Sequence, residues 1–286
     1  MMLVDMVTIK GIIMSLRTTN NFLGSAMLCI DRNPRYIEFK NGFAEALSWT
    51  EYRGFRQLVY SGFQMHRADS SANREYYEGM GFNLPVYIAE KRGYRIFFDK
   101  SMLVVLGEPL EKEYTIEVKG KNVLDIGAYR GETAVWFKMM GAKNLVLYEP
   151  MKENLSILKL NLIANQISAE IHEEGISDHD GEADTKVSES SVRQLGHEMV
   201  RVKVRNVSDV LQNSNCDIAK IDCEGAEINL TKVDGGILRL LDGYEVECHS
   251  FEIRDAIKKK FINEGFRLSN KYKHNNVASV LCFQRL

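Results

Sequence analysis

Val123-Leu-Asp-Ile-Gly-Ala-Tyr-Arg-Gly131 is a short apolar run that ends in a glycine-spaced turn. A second apolar run, Asn144 to Tyr148, follows and ends on Glu149. Glycine lets backbone approach a ligand where a β-carbon would collide, and a carboxylate at the tip of the neighbouring strand can accept hydrogen bonds from both ribose hydroxyls. The pairing points to a nucleoside-bearing cofactor, and so to an enzyme.

The spacing separates two cofactor classes. A dinucleotide site uses Gly-x-Gly-x-x-Gly to seat a pyrophosphate on a helix N-terminus, whereas Gly127 and Gly131 are separated by Ala128, Tyr129 and Arg130, with no middle glycine. Asp125 lies near the mouth of the strand, where a carboxylate can organise the loop or meet a cationic amino group. S-adenosylmethionine carries such a group and no phosphate. A nucleotide-dependent oxidoreductase on a similar sheet is the competing reading, disfavoured by the missing glycine. A non-catalytic module that keeps the pocket is a third.

Composition fits a reduced, cytoplasmic globular protein. The chain has 286 residues, 45% hydrophobic and 27% charged, enough for one large core with an appendage or for two unequal domains. A net charge of −2 offers no global field for nucleic acid or anionic membrane. The five cysteines include no Cys-x-x-Cys pair, which argues against a disulfide framework and a structural zinc. No apolar run is long enough to insert in a membrane.

Character changes near residue 110. Residues 1–108 read as a mixed α+β segment: a hairpin of Met27 to Asp31 and Arg35 to Phe39, a helical stretch from Phe43 to Met65, and a hairpin of Val86 to Glu90 and Tyr94 to Asp99. This segment is a candidate acceptor lid or oligomer contact. Over 109–286 strands and helices alternate: a lead-in strand Tyr114 to Val118, strands Val123 to Ile126, Asn144 to Tyr148, Ala169 to Glu173, Arg201 to Arg205, Cys216 to Ile221 and Tyr244 to Cys248, then a closing pair near Phe266 to Ser269 and Val277 to Gln284. Gly175 to Ser191 reads as a solvated acidic loop, and Ser208 as the cap of a short helix. The order predicts an α/β fold, a doubly wound, mostly parallel sheet with an antiparallel edge, whose ligands sit beyond the carboxyl ends of the strands. Those ends carry Asp125, Glu149, the turn Gly175 to Asp178, Asp222 with Glu224 and Glu227, and Glu247 with His249.

These residues carry a family resemblance. The run Val123 to Thr133, then Tyr148-Glu-Pro150 with Glu153-Asn154, then Asp217-Ile-Ala-Lys-Ile-Asp-Cys-Glu-Gly-Ala-Glu227, then Glu247-Cys-His249, resembles the FkbM-type S-adenosylmethionine-dependent methyltransferases over residues 114 to 286. The resemblance implies a class I methyltransferase-like (Rossmann-like) sheet of seven strands and methyl transfer to a hydroxyl oxygen of a sugar or small metabolite. It implies that Asp125, Gly127, Ala128, Tyr129 and Gly131 line the methionine side of the cofactor, that Glu149 with Pro150 holds the ribose, and that Ile176 to Asp178 meets the adenine. Tyr129 stands where the family commonly has Asn, and Cys223 where it has a small aliphatic residue.

An alcohol is a poor nucleophile at neutral pH, so transfer needs a base or a divalent cation to take or loosen its proton. Asp222 and His249 suit the base role, and with Glu247 they could also supply cation ligands, the less favoured view. Glu224 and Glu227 read as helix-start carboxylates. Lys258 to Lys260 read as a solvated helix face, and no Asn-Pro-Pro-Tyr element follows the fourth strand. The expected partner is a small-molecule hydroxylated acceptor, with no nucleic acid and the oligomeric state open.

Overall fold

In the computed structural model, residues 9–186, 199–273 and 278–286 are described. The chain divides into two compact units, Met1–Pro109 and Leu110–Leu286.

The second unit is built on strands β1 (Asn122–Ile126), β2 (Asn144–Tyr148), β3 (Glu170–His172), β4 (Gly175–Ser177), β5 (Gly181–Lys186), β6 (Met199–Asn206), β7 (Ile218–Ile221), β8 (Gly243–Cys248), β9 (Phe266–Lys273) and β10 (Ser279–Arg285). Its helices are α1 (Leu110–Glu113), α2 (Glu132–Met139), α3 (Lys152–Ala164), α4 (Val207–Asn213), α5 (Gly235–Leu238) and α6 (Phe251–Asn263), with a 3₁₀ stretch at Ala226–Lys232. Seven strands form one sheet in the order β9-β10-β8-β7-β1-β2-β3. Strands β8, β7, β1, β2 and β3 are parallel, and β10 runs antiparallel to both β8 and β9. This is the class I methyltransferase sheet, Rossmann-like with an antiparallel edge. Alternation of short apolar strands with helices forces the parallel part, because each crossover helix must return the chain to the same end of the sheet.

The central strands are buried on both faces, as crossover helices require. All four residues of β7 are buried. One face packs Leu124, Ile126, Ala219, Ile221, Tyr244 and Val246 against Val210, Leu211, Leu230, Ile257 and Phe261. Tyr244, Phe261, Phe266 and Phe283 form a ring cluster with centroids 4.5–5.5 Å apart. Each such ring contributes about 1.5–3 kcal/mol through burial.

Four sequence expectations change in this unit. Tyr114 to Val118 is not a strand: α1 ends at Glu113, and the next backbone N–H groups are taken by a side chain, Glu245, instead of a strand partner. The acidic stretch after Gly175 is not a loop throughout. β4 and β5 join β6 in a separate three-stranded sheet, where Arg201 and Arg205 neutralise Asp184 and Glu174. Residues 187–191 lie outside the described residues. Strand β6 therefore does not belong to the large sheet. Helix α4 is capped by Asn206, whose side chain accepts the Ser208 N–H at 2.9 Å, two residues before the expected Ser208 cap.

In the first unit, Phe22–Asp31 is a helix where a strand was expected, and Arg35–Glu38 pairs instead with Ala44–Leu47. Asn33-Pro34 therefore joins helix to strand. The helix expected from Phe43 is shorter, Trp49–Tyr60, because Ser48 and Glu51 form a reciprocal capping box that fixes its start. The second hairpin stands as expected, Val86–Lys91 against Tyr94–Asp99, with Gln64–Arg67 as a third strand. Phe39, Phe43, Phe55, Tyr87 and Phe98 form this unit's aromatic core.

Candidate functional site

The site forms at the carboxyl ends of β1, β2, β7 and β8, and begins with the turn between β1 and α2. Gly127 has φ +79°, and a β-carbon there would stand 1.7 Å from the Asp222 carbonyl oxygen. Only glycine lets the turn pass so close to the tip of β7. Gly127 and Ala128 both donate to the Tyr148 carbonyl, at 2.9 and 3.0 Å. Tyr129 has φ +45°, a left-handed conformation unusual for a bulky residue, and its ring lies 5.3 Å from the Arg130 guanidinium. Gly131, φ +87°, opens α2.

Asp125 is fully buried and accepts the Thr133 hydroxyl at 2.6 Å. Its other oxygen lies 3.1 Å from the Lys220 ammonium. Lys220, 2% exposed, also donates to the Gly127 carbonyl at 2.6 Å and stands 3.7 Å from Asp222. Burial works against that ammonium, but the charges of Asp125, Asp222 and Glu132 outweigh it and hold the lysine above its ordinary pKa. Lys220 thus ties the floor of the turn to the tip of β7. Sequence reasoning assigned it no role, although a lysine inside the strand Ile-Ala-Lys-Ile has to find buried partners. Glu132, at the start of α2, is 2% exposed, and its Oε2 has no hydrogen-bond partner. Burial lifts its carboxyl to about 8.

Glu149 is 4% exposed and already engaged. One oxygen accepts the Tyr129 N–H at 3.0 Å, the other the Met151 N–H at 2.9 Å and the Asn154 amide at 3.0 Å. Burial raises it to about 7 against the pull of these donors. It fastens the tip of β2 to the turn after β1, bringing the two halves of the expected cofactor site together. Pro150 follows it, half-buried.

The turn after β4 differs from its expected part. The Ile176 side chain packs in the core, so only its backbone faces the strand ends. Asp178 is exposed and pairs with Lys232 at 2.6 Å and His179 at 2.8 Å, which hold its carboxyl well below the usual range. The structure does not bring that carboxylate to Asp125 or Glu149.

Asp222, Glu247 and His249 do come together. His249 Nδ1 is 3.0 Å from Glu227 Oε1, which also accepts the His249 backbone N–H at 3.0 Å. The other Glu227 oxygen takes the Gly225 N–H at 2.7 Å. Glu227 is fully buried and orients the imidazole, where the sequence suggested only a helix-start charge. His249 Nε2 then faces Asp222 at 3.6 Å, Glu224 at 3.6 Å and Glu247 at 3.9 Å. Burial disfavours the imidazolium, but the Glu227 bond and the charges of Asp222, Glu227 and Glu247 lift the histidine to about 9. One donor atom from each of Asp222, Glu247 and His249 lies within 4.8 Å of the others.

Asp125 and Asp222 flank the Lys220 ammonium beside a turn shaped for close backbone approach. That shape admits close approach of a ligand to the backbone.

Residues 125–254 match the methyltransferase FkbM domain. This stretch is similar to the FkbM methyltransferase domain across all four strand tips of the site.

No curated protein matches the chain. Solved structures similar to it include a candidate RNA methyltransferase from Pyrococcus horikoshii, 17% identical with TM-score 0.39, covering 59% of this chain and 76% of that one. A candidate S-adenosylmethionine-dependent methyltransferase from Streptococcus mutans is 12% identical with TM-score 0.45, covering 70% and 55%. A candidate tRNA methyltransferase from Streptococcus pneumoniae, in complex with S-adenosylmethionine, is 10% identical with TM-score 0.38, covering 60% and 69%. The family match is to a methyltransferase domain, and S-adenosylmethionine is the ligand named with one of the similar structures. The expected partner, a small-molecule acceptor with no nucleic acid, is corrected: two of these three structures are named for RNA or tRNA. A net charge of −2 is an average over the surface and excludes no local basic contact. Lys258 and Lys259 on α6 and Lys271 on β9 are such local charges.

Proposed function

We propose that the FkbM domain transfers the methyl group to a hydroxyl oxygen of its acceptor, with Asp222 and His249 removing the acceptor's proton. The observation that carries this reading is the single orientation of His249: Nδ1 is committed to Glu227, and Nε2 faces Asp222 at the end of β7. S-adenosylmethionine supplies an electrophilic methyl on a sulfonium. Asp125, Gly127, Ala128, Tyr129 and Gly131 would hold its methionine side, and Glu149 its ribose. The Gly127 contact sets Asp222 directly against the turn, so the base pair stands beside the methyl end of the cofactor site. Bound there, the cofactor would supply the methyl carbon to the acceptor oxygen as its carbon–sulfur bond breaks, and His249 Nε2 would take the acceptor's proton, its charge stabilised by Asp222 and Glu247. Positioning in line supplies most of the acceleration, and the base a further ~10²- to 10⁴-fold.

His249 is imidazolium below about 9 and must be neutral to act. Turnover therefore rises with pH from 7 toward 9. Asp222→Asn and His249→Ala each lower turnover about 100-fold or more while leaving S-adenosylmethionine affinity within a few-fold. Labelled-methyl transfer to a panel of hydroxylated sugars and a short RNA tests the proposal. Product methylated at nitrogen, or variants that lose cofactor binding instead of turnover, would contradict it.

The clustering of Asp222, Glu247 and His249 donors favours one second reading, a divalent cation that lowers the acceptor's pKa. Loss of turnover in EDTA with recovery on adding Mg²⁺ or Mn²⁺ would select it.

A further inference from the structure

Tyr114 stands just before the span of the family match, in the segment that leads from α1 to β1. That segment is pinned to β8 in register. Ile116 Cδ1 fills the space a β-carbon on Gly243 would need, 2.5 Å from it, and Glu245 Oε1 accepts the Thr115 and Ile116 N–H groups at 2.5 and 2.9 Å. Gly243, Glu245 and Glu247 alternate onto one face of β8. The segment therefore lies against that face of β8, with Tyr114 next in the chain to the two residues Glu245 holds.

The ring is fixed there by an edge contact with Phe137 of α2, centroids 5.7 Å apart at 72°. Tyr114 is 8% exposed, yet its hydroxyl forms no hydrogen bond with any described residue. The hydroxyl is not among the fully enclosed polar atoms that lack a partner, so it is open to solvent and to a ligand. Burial, and after it the charges of Glu113, Asp222, Glu247 and Asp125, keep the phenol protonated far above its usual pKa. It is thus a protonated donor, open to a ligand, within the field of those carboxylates.

We infer that Tyr114 is an acceptor-binding residue whose hydroxyl donates a hydrogen bond to the acceptor oxygen beside Asp222 and Glu247. The inference rests on the methyl-transfer reading. An alcohol oxygen has two lone pairs: one accepts from Tyr114, and the other is left to attack the methyl carbon. Its own proton points toward Asp222 and His249. A single donor in this place selects the lone pair that reacts.

Tyr114→Phe tests this, because it keeps the ring against Phe137 and removes only the hydroxyl. The full chain and the variant are compared for S-adenosylmethionine affinity by calorimetry, for thermal midpoint, and for kcat and KM with the best acceptor from the panel of sugars and RNA. The expected result is an unchanged or higher midpoint, unchanged cofactor affinity, and kcat/KM for the acceptor lowered about tenfold, the worth of one hydrogen bond. Wild-type kcat/KM would overturn the inference, as would loss of cofactor affinity, which would reassign Tyr114 to the donor. A lower midpoint would show that the hydroxyl has a structural partner and would also overturn it. If the acceptor proves to be methylated at nitrogen, the O-transfer reading falls while the kcat/KM comparison still decides Tyr114. If the wild-type chain transfers to nothing in the panel, the midpoint and cofactor affinity decide it.

Discussion

Glu227 and Gly127 each hold a proposed catalytic group in place, His249 and Asp222 respectively. Glu227 accepts from the imidazole and from two backbone N–H groups, so Glu227→Gln, which cannot accept at both oxygens, frees the ring and weakens its hold on a proton. The pH profile of turnover should shift below the about 9 set by the intact carboxylate, and kcat should fall about tenfold or more. An unshifted profile would show that another group titrates. Gly127→Ala puts a β-carbon into the Asp222 carbonyl and should lower both the thermal midpoint and cofactor affinity at least about tenfold. At this scale the sequence displayed the turn, the acidic tips and His249, because motif spacing survives in one dimension. Lys220, Glu227 and Tyr114 were not legible as site residues. Their roles depend on which strand tip faces which, a property of sheet order that no local window contains.

At the scale of elements, periodicity located β1, β2, β7, β8 and the helices between them to within a few residues, since each buries an apolar face in one sheet. The misplacements arose where polar partners, not apolar pattern, decide the conformation. The Tyr114 segment is held by Glu245, which takes the Thr115 and Ile116 N–H groups, and β4 and β5 are strands because arginines of β6 neutralise the acidic run. Glu245 is fully buried, and burial raises its carboxyl to about 7 despite the Ile116 and Thr115 donors. The sign follows from linkage: the folded state binds the proton more tightly than the unfolded chain. Its contribution is therefore full below about 4.5 and declines by up to about 3 kcal/mol as pH rises toward 7. Denaturation midpoints followed from pH 4.5 to 8 should decline in the wild type and lose part of that decline in Glu245→Gln. An identical pH dependence in the two proteins would remove Glu245 from the account.

For the whole molecule, one sheet brings four strand tips together, where Asp125 faces Lys220 and Asp222, Glu224 and Glu247 face His249, while the net charge of the chain is only −2. Charge is thus segregated, and the site's polarity suits a sulfonium donor better than a dinucleotide's pyrophosphate. Among the described residues no helix is long and apolar enough to cross a membrane. The most direct test of the central claim is calorimetric titration of the full chain with S-adenosylmethionine and, separately, with NAD. The account predicts saturable one-to-one binding of S-adenosylmethionine, weakened at least about tenfold by Glu149→Gln, and no heat of binding from NAD. Saturable NAD binding with none for S-adenosylmethionine would contradict it.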